Sequence, residues 1–275
     1  MKKYLNIGSC DLTLDGWINL DFKTEHYSNK QEKIDINHNL MRFQQIPLKN
    51  KSLEIVATFH TIEHLLNKNV EFLFQEVYRM LRSGGTFRIT CPDIGGKIFE
   101  AYKGNNREYI SNWMIHEKNK RQKIWNIWNQ FGIGEQFLYI FAGYMSPFHP
   151  VHAFRLDSKQ IRELKSFLNR NLDVKVFEEH EIKVMARTKT RDDFLDFFVS
   201  QYPKYIKFVQ EKFPGTHISW WGYEKIKKTL EEIGFKDIKQ MDFGISNLTE
   251  LEKIDILSKG NIEKKDYTVF VECEK

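Results

Sequence analysis

Apolar and polar positions alternate in two patterns along the first 93 residues. Short apolar runs that end at a turn residue or an aspartate predict buried strands. These runs are Tyr4–Ile7, Trp17–Asp21, Lys33–Ile36, Leu53–Phe59 and Thr86–Cys91. From Leu66 to Leu81, apolar residues recur at steps of three and four, which predicts an amphipathic helix ended by Gly84 and Gly85. Strands joined by helical connections predict a parallel sheet.

The pattern changes between residues 94 and 219, a stretch rich in Trp, Phe, Tyr, Lys and Asn that predicts a series of helices, one of them opened by Asp157. After it, a helix ending at Gly234 and two further strands are predicted, at Phe235–Ile238 and Asp266–Glu272. We therefore expect an α/β fold with a doubly wound, mostly parallel sheet, formed by residues 1–93 and 220–275. Residues 94–219 would be a large, mainly helical insertion after the fifth strand.

Composition narrows the class of protein. The 275 residues include 42 basic and 37 acidic side chains, a formal net charge of +5, and 41% hydrophobic residues. This mild charge is spread along the chain, so nucleic acid is an unlikely partner. No apolar run approaches the ~18 residues of a membrane span. The N-terminus reaches Asn6 and Gly8 too soon for a signal peptide, and three distant cysteines form no disulfide framework. We expect a cytoplasmic globular protein.

Candidate chemistry follows from where the predicted strands end, because ligands bind outside the carboxyl ends of parallel strands. Gly8 has no Cβ, so the backbone at this turn can approach a ligand closely, and the N–H groups of the turn could bind an anionic group. Asp21 is placed to accept two hydrogen bonds from a ribose diol. The pairs Asp35–Ile36 and Phe59–His60 would border a purine ring. Cys10 stands where a second glycine would complete a dinucleotide-binding turn, so that motif is not satisfied.

Four segments in order carry a resemblance to a known family. The segments LNIGSCDLTLDGWINLDF (5–22), LEIVATFHTIEHL (53–65), YRMLRSGGTFRITCPD (78–93) and GYEKIKKTLEEIGFKDIKQMDFG (222–244) resemble class I S-adenosylmethionine-dependent methyltransferases, which have a Rossmann-like fold. The Gly-Trp-Ile-Asn run is most similar to a type 11-like bacterial subgroup that acts in surface-glycan and small-molecule pathways. The terminal DYTVFVECEK is similar to the family's closing strand, and all of these segments lie within residues 1–93 and 220–275, about half of the chain.

The resemblance implies S-adenosyl-L-methionine as the cofactor and assigns it a set of residues. The turn at Gly8 and Ser9 would hold the methionine end, and Asp21 with Phe22 the ribose. The remaining implied contacts flank the adenine or lie beside the adenosine and methyl donor: Asp35, Ile36, Phe59 and His60. The family usually has glycine where this chain has Cys10, so a side chain there would narrow the turn.

Two histidine clusters suggest further chemistry. His60, Glu63 and His64 share a helical spacing that would suit a metal, but a structural role is the more common one, and we expect no metal. His149 and His152 lie in a proline-restricted loop of the insertion. Either of them, or His64, would be the general base for methyl transfer, since histidine titrates near neutral pH; the alternative is that they tie down their loops.

The predicted function is S-adenosylmethionine-dependent O-methylation of a small polar metabolite, such as a sugar, a nucleotide-linked sugar or a phosphoryl-type group in bacterial surface-polysaccharide biosynthesis. Alternatives are an RNA or protein methyltransferase and an inactive, methyltransferase-like binding subunit. The basic and aromatic stretch Lys118–Trp128 would face RNA or a membrane surface in those cases, although an amphipathic helix with buried tryptophans explains it as well. The oligomeric state is left open.

Overall fold

The computed structural model describes residues 2–10, 12–24, 33–115, 118, 122–148, 175–201, 215–258 and 264–275. Two compact units divide them. The first contains the described residues of 1–93 and 221–275, and the second those of 94–201 and 215–220. No helix among the described residues combines the length and the apolar composition that a membrane crossing needs.

The described residues of the first unit form a seven-stranded sheet with the order β3-β2-β1-β4-β5-β7-β6. The strands are β1 (Tyr4–Ile7), β2 (Ile18–Asp21), β3 (Ile36–Asn37), β4 (Leu53–Phe59), β5 (Leu81–Pro92), β6 (Lys236–Met241) and β7 (Thr268–Glu274). Pairing is parallel from β3 through β5, and β7 runs antiparallel to both neighbours. The α/β fold with a mostly parallel sheet is confirmed. Strand order reverses at β1, so the carboxyl ends of β1 and β4 border the crevice where such sheets bind ligands.

The long helix predicted after β4 is present as α1 (Asn67–Met80), and it buries the predicted apolar positions Val70, Leu73 and Val77. The prediction was wrong about its end, because the chain is already extended from Leu81 onward. Gly84 lies within the extended segment instead, where its φ of +68° is left-handed and its N–H donates to the Lys275 carbonyl.

The later helix of the first unit ends where predicted. It spans Tyr223–Ile233 and stops at Gly234, whose φ of +109° is a conformation that favours glycine. In our numbering it is α8, and the last helix, α9, spans Thr249–Leu257.

The connection between β1 and β2 is unusual, since its described residues form no helix. Leu14 and Trp17 of this connection pack instead against Phe59 of β4 and against Leu251 and Ile254 of α9. A helix from the far end of the chain thus covers the face that a crossover helix would ordinarily cover. A buried cation joins α9 to the sheet: the Arg88 guanidinium of β5 contacts the Asp255 carboxylate, and both side chains are fully buried.

The second unit is helical in the part of the chain that is described. Its helices are α2 (Phe99–Lys103), α3 (Arg107–Asn112), α4 (Gln122–Trp128), α5 (Ile133–Ala142), α6 (Glu179–Thr188) and α7 (Arg191–Val199). Aromatic rings fill its core, and Tyr102 stacks on Phe137 with ring centroids 4.5 Å apart. Trp128 is fully buried and donates its ring N–H to the Ser111 carbonyl, as expected for a core tryptophan. The helix predicted at Asp157 lies outside the described residues.

Candidate active site at the carboxyl edge of the sheet

The turn after β1 is shaped by a glycine that no other residue can replace without a clash. Gly8 has a φ of +71°, and a Cβ added to it would lie 2.1 Å from the Thr61 hydroxyl oxygen. Thr61 follows β4, and its hydroxyl donates toward the carbonyls of Ile7 and Phe59. The ends of β1 and β4 therefore touch through the space that the missing side chain leaves.

The backbone N–H groups of this turn have partners within the protein. Gly8 and Ser9 both donate to the Leu20 carbonyl, at 2.9 and 3.2 Å, and Cys10 donates to an Asp21 carboxylate oxygen at 2.6 Å. The expectation that the Gly8 N–H groups receive an anionic group is therefore wrong. No helix N-terminus stands behind the turn either, as far as the described residues show.

Cys10 keeps the backbone conformation that glycine would have at this position. Its φ is +41°, in the left-handed region that costs an ordinary L-residue about 1–2 kcal/mol. The hydrogen bond from its N–H to Asp21 holds it there. The predicted narrowing of the turn is thus a side-chain effect, since the backbone path that a glycine would give is preserved.

Asp21 ends β2 directly beside this turn. One carboxylate oxygen accepts the Cys10 N–H at 2.6 Å, and the other accepts the Phe22 N–H at 2.6 Å. Two fixed N–H groups orient the carboxylate. A carboxylate has about four acceptor sites, so these two bonds are compatible with its accepting a ribose diol as well. The buried Ser9 hydroxyl, 1% exposed as a residue, has no hydrogen-bond partner among the described residues.

The end of β3 differs from the sequence prediction. The strand consists of Ile36 and Asn37, so Asp35 precedes it rather than following it. The Asp35 carboxylate accepts hydrogen bonds from the backbone N–H of Asn19 and from the ammonium of Lys2, at the amino end of the sheet. These bonds, opposed by partial burial, hold its pKa below the usual range. Its predicted place beside the adenine is therefore wrong.

Two asparagines occupy the carboxyl end of β3 instead, where sequence reasoning missed them. Asn37 lies level with Asp21 in the strand register, and its side-chain oxygen accepts the Lys23 N–H at 2.9 Å. Asn39 follows, and its side-chain oxygen accepts the Met41 N–H at 2.9 Å. A correct boundary for this two-residue strand would have pointed to both. Ile36 itself pairs with Leu20 inside the sheet.

At the end of β4, Phe59 departs from the prediction, and His60 lies among protein groups. Phe59 is 7% exposed and packs in the core beneath the sheet with Trp17, so its ring is structural. The His60 ring lies between two protein groups: its Nδ1 is 3.3 Å from Glu63 Oε1, and its Nε2 is 3.2 Å from the Thr268 hydroxyl oxygen. Both ring nitrogens lie near protein groups, and the place of His60 beside the adenosine stays a prediction.

Acidic groups gather where β4 and β5 end. Glu63 and Asp93 are buried, at 1% and 4% exposure, and Cys91 between them in the sequence is fully buried. Burial, reinforced by the charges of Glu63 and Asp93, raises the pKa of the Cys91 thiol well above its usual value. Cys91 is therefore a neutral core thiol rather than a nucleophile. Beside them, the Lys225 ammonium lies 4.7 Å from the Trp221 ring centre.

Of the three histidines predicted as the general base, one lies among the described residues. His64 lies in a short 3-10 turn, Ile62–His64, and is partly exposed. His149 and His152 lie outside the described residues. In the second unit, sequence reasoning missed His217, which follows no motif. Its Nδ1 is 2.5 Å from the Ile140 carbonyl oxygen and must donate to it, so Nε2 is the basic nitrogen of that ring.

Part of the chain matches a known protein family. Residues 17–89 match the family described as methyltransferase domain. A probable S-adenosylmethionine-dependent methyltransferase of Mycolicibacterium smegmatis is 32% identical over 68 residues, which is 25% of this chain and 25% of that protein. The chain thus spans about a quarter of the length of this curated relative.

Solved structures with similar folds are more distant. An S-adenosylmethionine-dependent methyltransferase from Archaeoglobus fulgidus is 14% identical, with a TM-score of 0.40 over 99% of this chain and 85% of that one. A possible histamine N-methyltransferase from Thermotoga maritima is 11% identical, with a TM-score of 0.39 over 99% of this chain and 82% of that one. Similarity at this level carries no information on substrate.

Residues 17–89 are therefore similar to a methyltransferase domain, and the similarity to the Mycolicibacterium smegmatis protein points to S-adenosylmethionine as the cofactor. The residues present fit this cofactor, because the buried Ser9 hydroxyl lies in the turn after β1 and the oriented Asp21 carboxylate ends β2. When bound, the cofactor supplies a methyl group on a sulfonium.

Proposed function

We propose that this protein is an enzyme that transfers the methyl group of S-adenosylmethionine to an oxygen of a small polar acceptor. The observation that carries the proposal is the Asp21 carboxylate, fixed by two backbone N–H groups next to the Gly8 turn. That arrangement suits a ribose diol. It does not suit the pyrophosphate of a dinucleotide, because the N–H groups of the turn are already bonded to the protein.

Within this site, Gly8, Ser9, Asp21 and Phe22 would hold the cofactor, and Asn37 and Asn39 would border the adenine in place of Asp35. The protein's own task is to align the acceptor, exclude water and remove the acceptor's proton. His64, His149 and His152 are the candidate bases. Residues 94–219 would supply the acceptor pocket.

For the acceptor, we propose a sugar, a nucleotide-linked sugar or a phosphoryl-type group of bacterial surface-polysaccharide biosynthesis. The support is the resemblance of the Gly16–Asp21 segment to a bacterial subgroup that acts in such pathways. A screen with radiolabelled methyl donor against nucleotide sugars, RNA and protein separates this proposal from its alternatives. Transfer only to RNA or protein would overturn the acceptor class and leave the cofactor assignment standing.

The cofactor assignment is tested by replacing Asp21. We expect Asp21→Ala to weaken S-adenosylhomocysteine binding at least tenfold, since bonds to a charged group contribute about 1.5–3 kcal/mol. Calorimetric titration measures the affinity. Asp15→Ala is the matched control, because Asp15 is an exposed carboxylate in the same connection. Unchanged affinity in Asp21→Ala would contradict the assignment, and no binding by the wild type would favour an inactive binding subunit.

A further inference from the structure

Two buried asparagines face each other on the first two strands of the sheet. Asn6 of β1 and Asn19 of β2 are partners in the strand register, and they are 1% and 4% exposed. Buried polar groups in folded proteins are hydrogen-bonded, so the partners of these amides indicate what the amides hold. Those partners include the connection between β1 and β2, whose described residues form no helix.

Asn19 gives this connection the two hydrogen bonds that a neighbouring strand would give. Its side-chain oxygen accepts the Leu14 N–H at 2.9 Å, and its side-chain NH2 group donates to the Leu14 carbonyl at 3.1 Å. Residues paired across an antiparallel sheet exchange the same two bonds through their backbones. Because Leu14 presents one donor and one acceptor, the orientation of the Asn19 amide is fixed.

The side-chain NH2 group of Asn6 is a donor to two oxygens. It donates to the Leu12 carbonyl at 2.6 Å and to the Asn19 side-chain oxygen at 3.2 Å. Neither oxygen carries a proton, so the nitrogen of the Asn6 amide must lie on this side. A carboxylate of the same shape has no proton to donate and would face both oxygens as a third acceptor.

The bond from Asn6 to Leu12 extends to the candidate cofactor turn. The Leu12 N–H donates to the Ser9 carbonyl at 2.7 Å, and the Ser9 N–H donates to the Leu20 carbonyl at 3.2 Å. Through Leu12, the Asn6 amide therefore holds the residue that carries the buried hydroxyl of the turn.

We propose that Asn6 is a positioning residue for the cofactor, supported by Asn19, because its donated bond fixes Leu12 and with it the turn from residue 8 to residue 10. Asp21 holds the same turn from the other side, through the Cys10 N–H. The connection has no crossover helix among its described residues, so these side-chain bonds take over the fixing of its path. The inference rests on the proposed function, since it assigns the effect of the Asn6 bond to S-adenosylmethionine binding.

One carboxylate is bonded to the asparagine pair. Asp35 accepts the backbone N–H of Asn19 at 2.8 Å and its side-chain NH2 group at 3.4 Å, and the Lys2 ammonium pairs with the same carboxylate. Elsewhere on β2, β4, the connection and α9, the described carboxylates are exposed or bonded to other groups: Asp15, Asp21, Glu54, Glu250, Glu252 and Asp255.

The donor role is tested with Asn6→Asp, which keeps the shape of the side chain and removes its NH2 group. At pH ~8.5 we expect this variant to bind S-adenosylhomocysteine about tenfold more weakly than the wild type, since repulsion replaces the bond to Leu12. Burial and the two facing oxygens raise the pKa of the introduced carboxyl. By pH ~5.5 we expect much of it to be protonated and able to donate once, which should reduce the difference from the wild type to about threefold. Calorimetric titration of both proteins at both pH values measures the ratio.

Asn50→Asp is the matched control. Asn50 is exposed, and its side-chain oxygen accepts from Arg79 at 2.7 Å, so a carboxylate keeps that bond and adds the same charge. We expect this variant to bind S-adenosylhomocysteine as the wild type does at both pH values. If Asn6 only stabilised the fold, Asn6→Asp would lower the Tm and leave the affinity of the folded protein unchanged. That result, or a loss of affinity that does not change with pH, would overturn the positioning role.

NMR of the wild type decides the matter if Asn6→Asp does not fold. The side-chain NH2 protons of Asn6 should exchange with solvent much more slowly than those of the exposed Asn105, because they are buried and bonded. Their signals should also shift when S-adenosylhomocysteine saturates the protein, and the Asn105 signals should stay in place. Rapid exchange of the Asn6 protons, or signals that do not respond to S-adenosylhomocysteine, would contradict the role of Asn6.

The outcomes separate this role from the proposed function. Binding by the wild type together with unchanged affinity in Asn6→Asp would remove Asn6 from the site and leave the proposed function intact. No binding by the wild type would overturn the proposed function and, with it, the positioning role. Exchange of the Asn6 protons would then still show whether the bond to Leu12 exists.

Discussion

At the scale of single residues, the candidate site depends on backbone positions more than on side-chain identity. Gly8 is required because Thr61 occupies its Cβ position, and Cys10 accepts a left-handed φ because Asp21 holds its N–H. The sequence pointed to Gly8 and Asp21 through their places after apolar runs. It pointed wrongly to Asp35 and Phe59. The sequence does not show whether Asp35 precedes or follows its strand, or whether the Phe59 ring packs in the core.

Gly8 and Gly16 form a matched pair for a test of the close approach. Both have left-handed φ, +71° and +82°, but a Cβ on Gly16 would meet nothing within 4 Å. We expect Gly16→Ala to cost about 1 kcal/mol of unfolding free energy from backbone strain alone. Gly8→Ala should cost about 2–4 kcal/mol, because overpacking adds to the strain. Denaturant unfolding measures both, and equal losses would contradict the packing of Thr61 against Gly8.

The Ser9 hydroxyl gives a test that separates binding from stability. It is buried without a partner among the described residues, so Ser9→Ala should leave the free energy of unfolding unchanged or slightly raised. If a ligand uses this hydroxyl, affinity for S-adenosylhomocysteine should fall about threefold to tenfold. Thermal unfolding and calorimetry of the same variant measure the two effects. Unchanged affinity would remove Ser9 from the site.

At the scale of elements, the strong periodic signals were reliable and the short ones were not. Helix α1 and strands β1, β2 and β4 follow directly from apolar periodicity. The two-residue strand β3 offers too few positions for any pattern. The sequence could not predict that α9 packs on the sheet, because Leu251 and Ile254 of this helix contact residues as distant in the chain as Trp17 and Phe59.

An ion pair within helix α1, between Glu76 and Arg79, depends on pH and also bonds to the chain leading into β4. Both carboxylate oxygens of Glu76 accept from Arg79, and one also accepts the Ile46 N–H. Burial raises the pKa of Glu76, but these bonds outweigh it and leave the pKa below 4.5. The stabilisation is therefore complete above the pKa of an unfolded-chain glutamate and is lost as pH falls through the lower folded-state value.

We accordingly expect Glu76→Gln to lower the free energy of unfolding by about 1–3 kcal/mol at neutral pH. The difference from the wild type should shrink as the pH falls below 4.5. Urea unfolding at several pH values measures it. Glu54→Gln is the control, since the Glu54 pair with Lys3 lies at the surface and should contribute little. A difference that persists unchanged in acid would contradict the ion-pair account.

At the scale of the whole molecule, the sequence correctly predicted a mostly parallel α/β sheet, because strand and helix patterns follow one another along the first 93 residues. The order β3-β2-β1-β4-β5-β7-β6 places the Gly8 turn and Asp21 on the same edge as the ends of β4 and β5. The acceptor could not be predicted, because residues 94–219 contain no sequence motif whose spacing specifies a ligand.

The most direct test of the central claim is calorimetric titration of the full chain with S-adenosylhomocysteine, with NADH titrated in parallel. The account predicts binding of one S-adenosylhomocysteine per chain and no binding of NADH. The Gly8 and Ser9 N–H groups already donate to the Leu20 carbonyl, so they cannot bind the pyrophosphate of NADH. Binding of NADH, or no binding of S-adenosylhomocysteine, would contradict it.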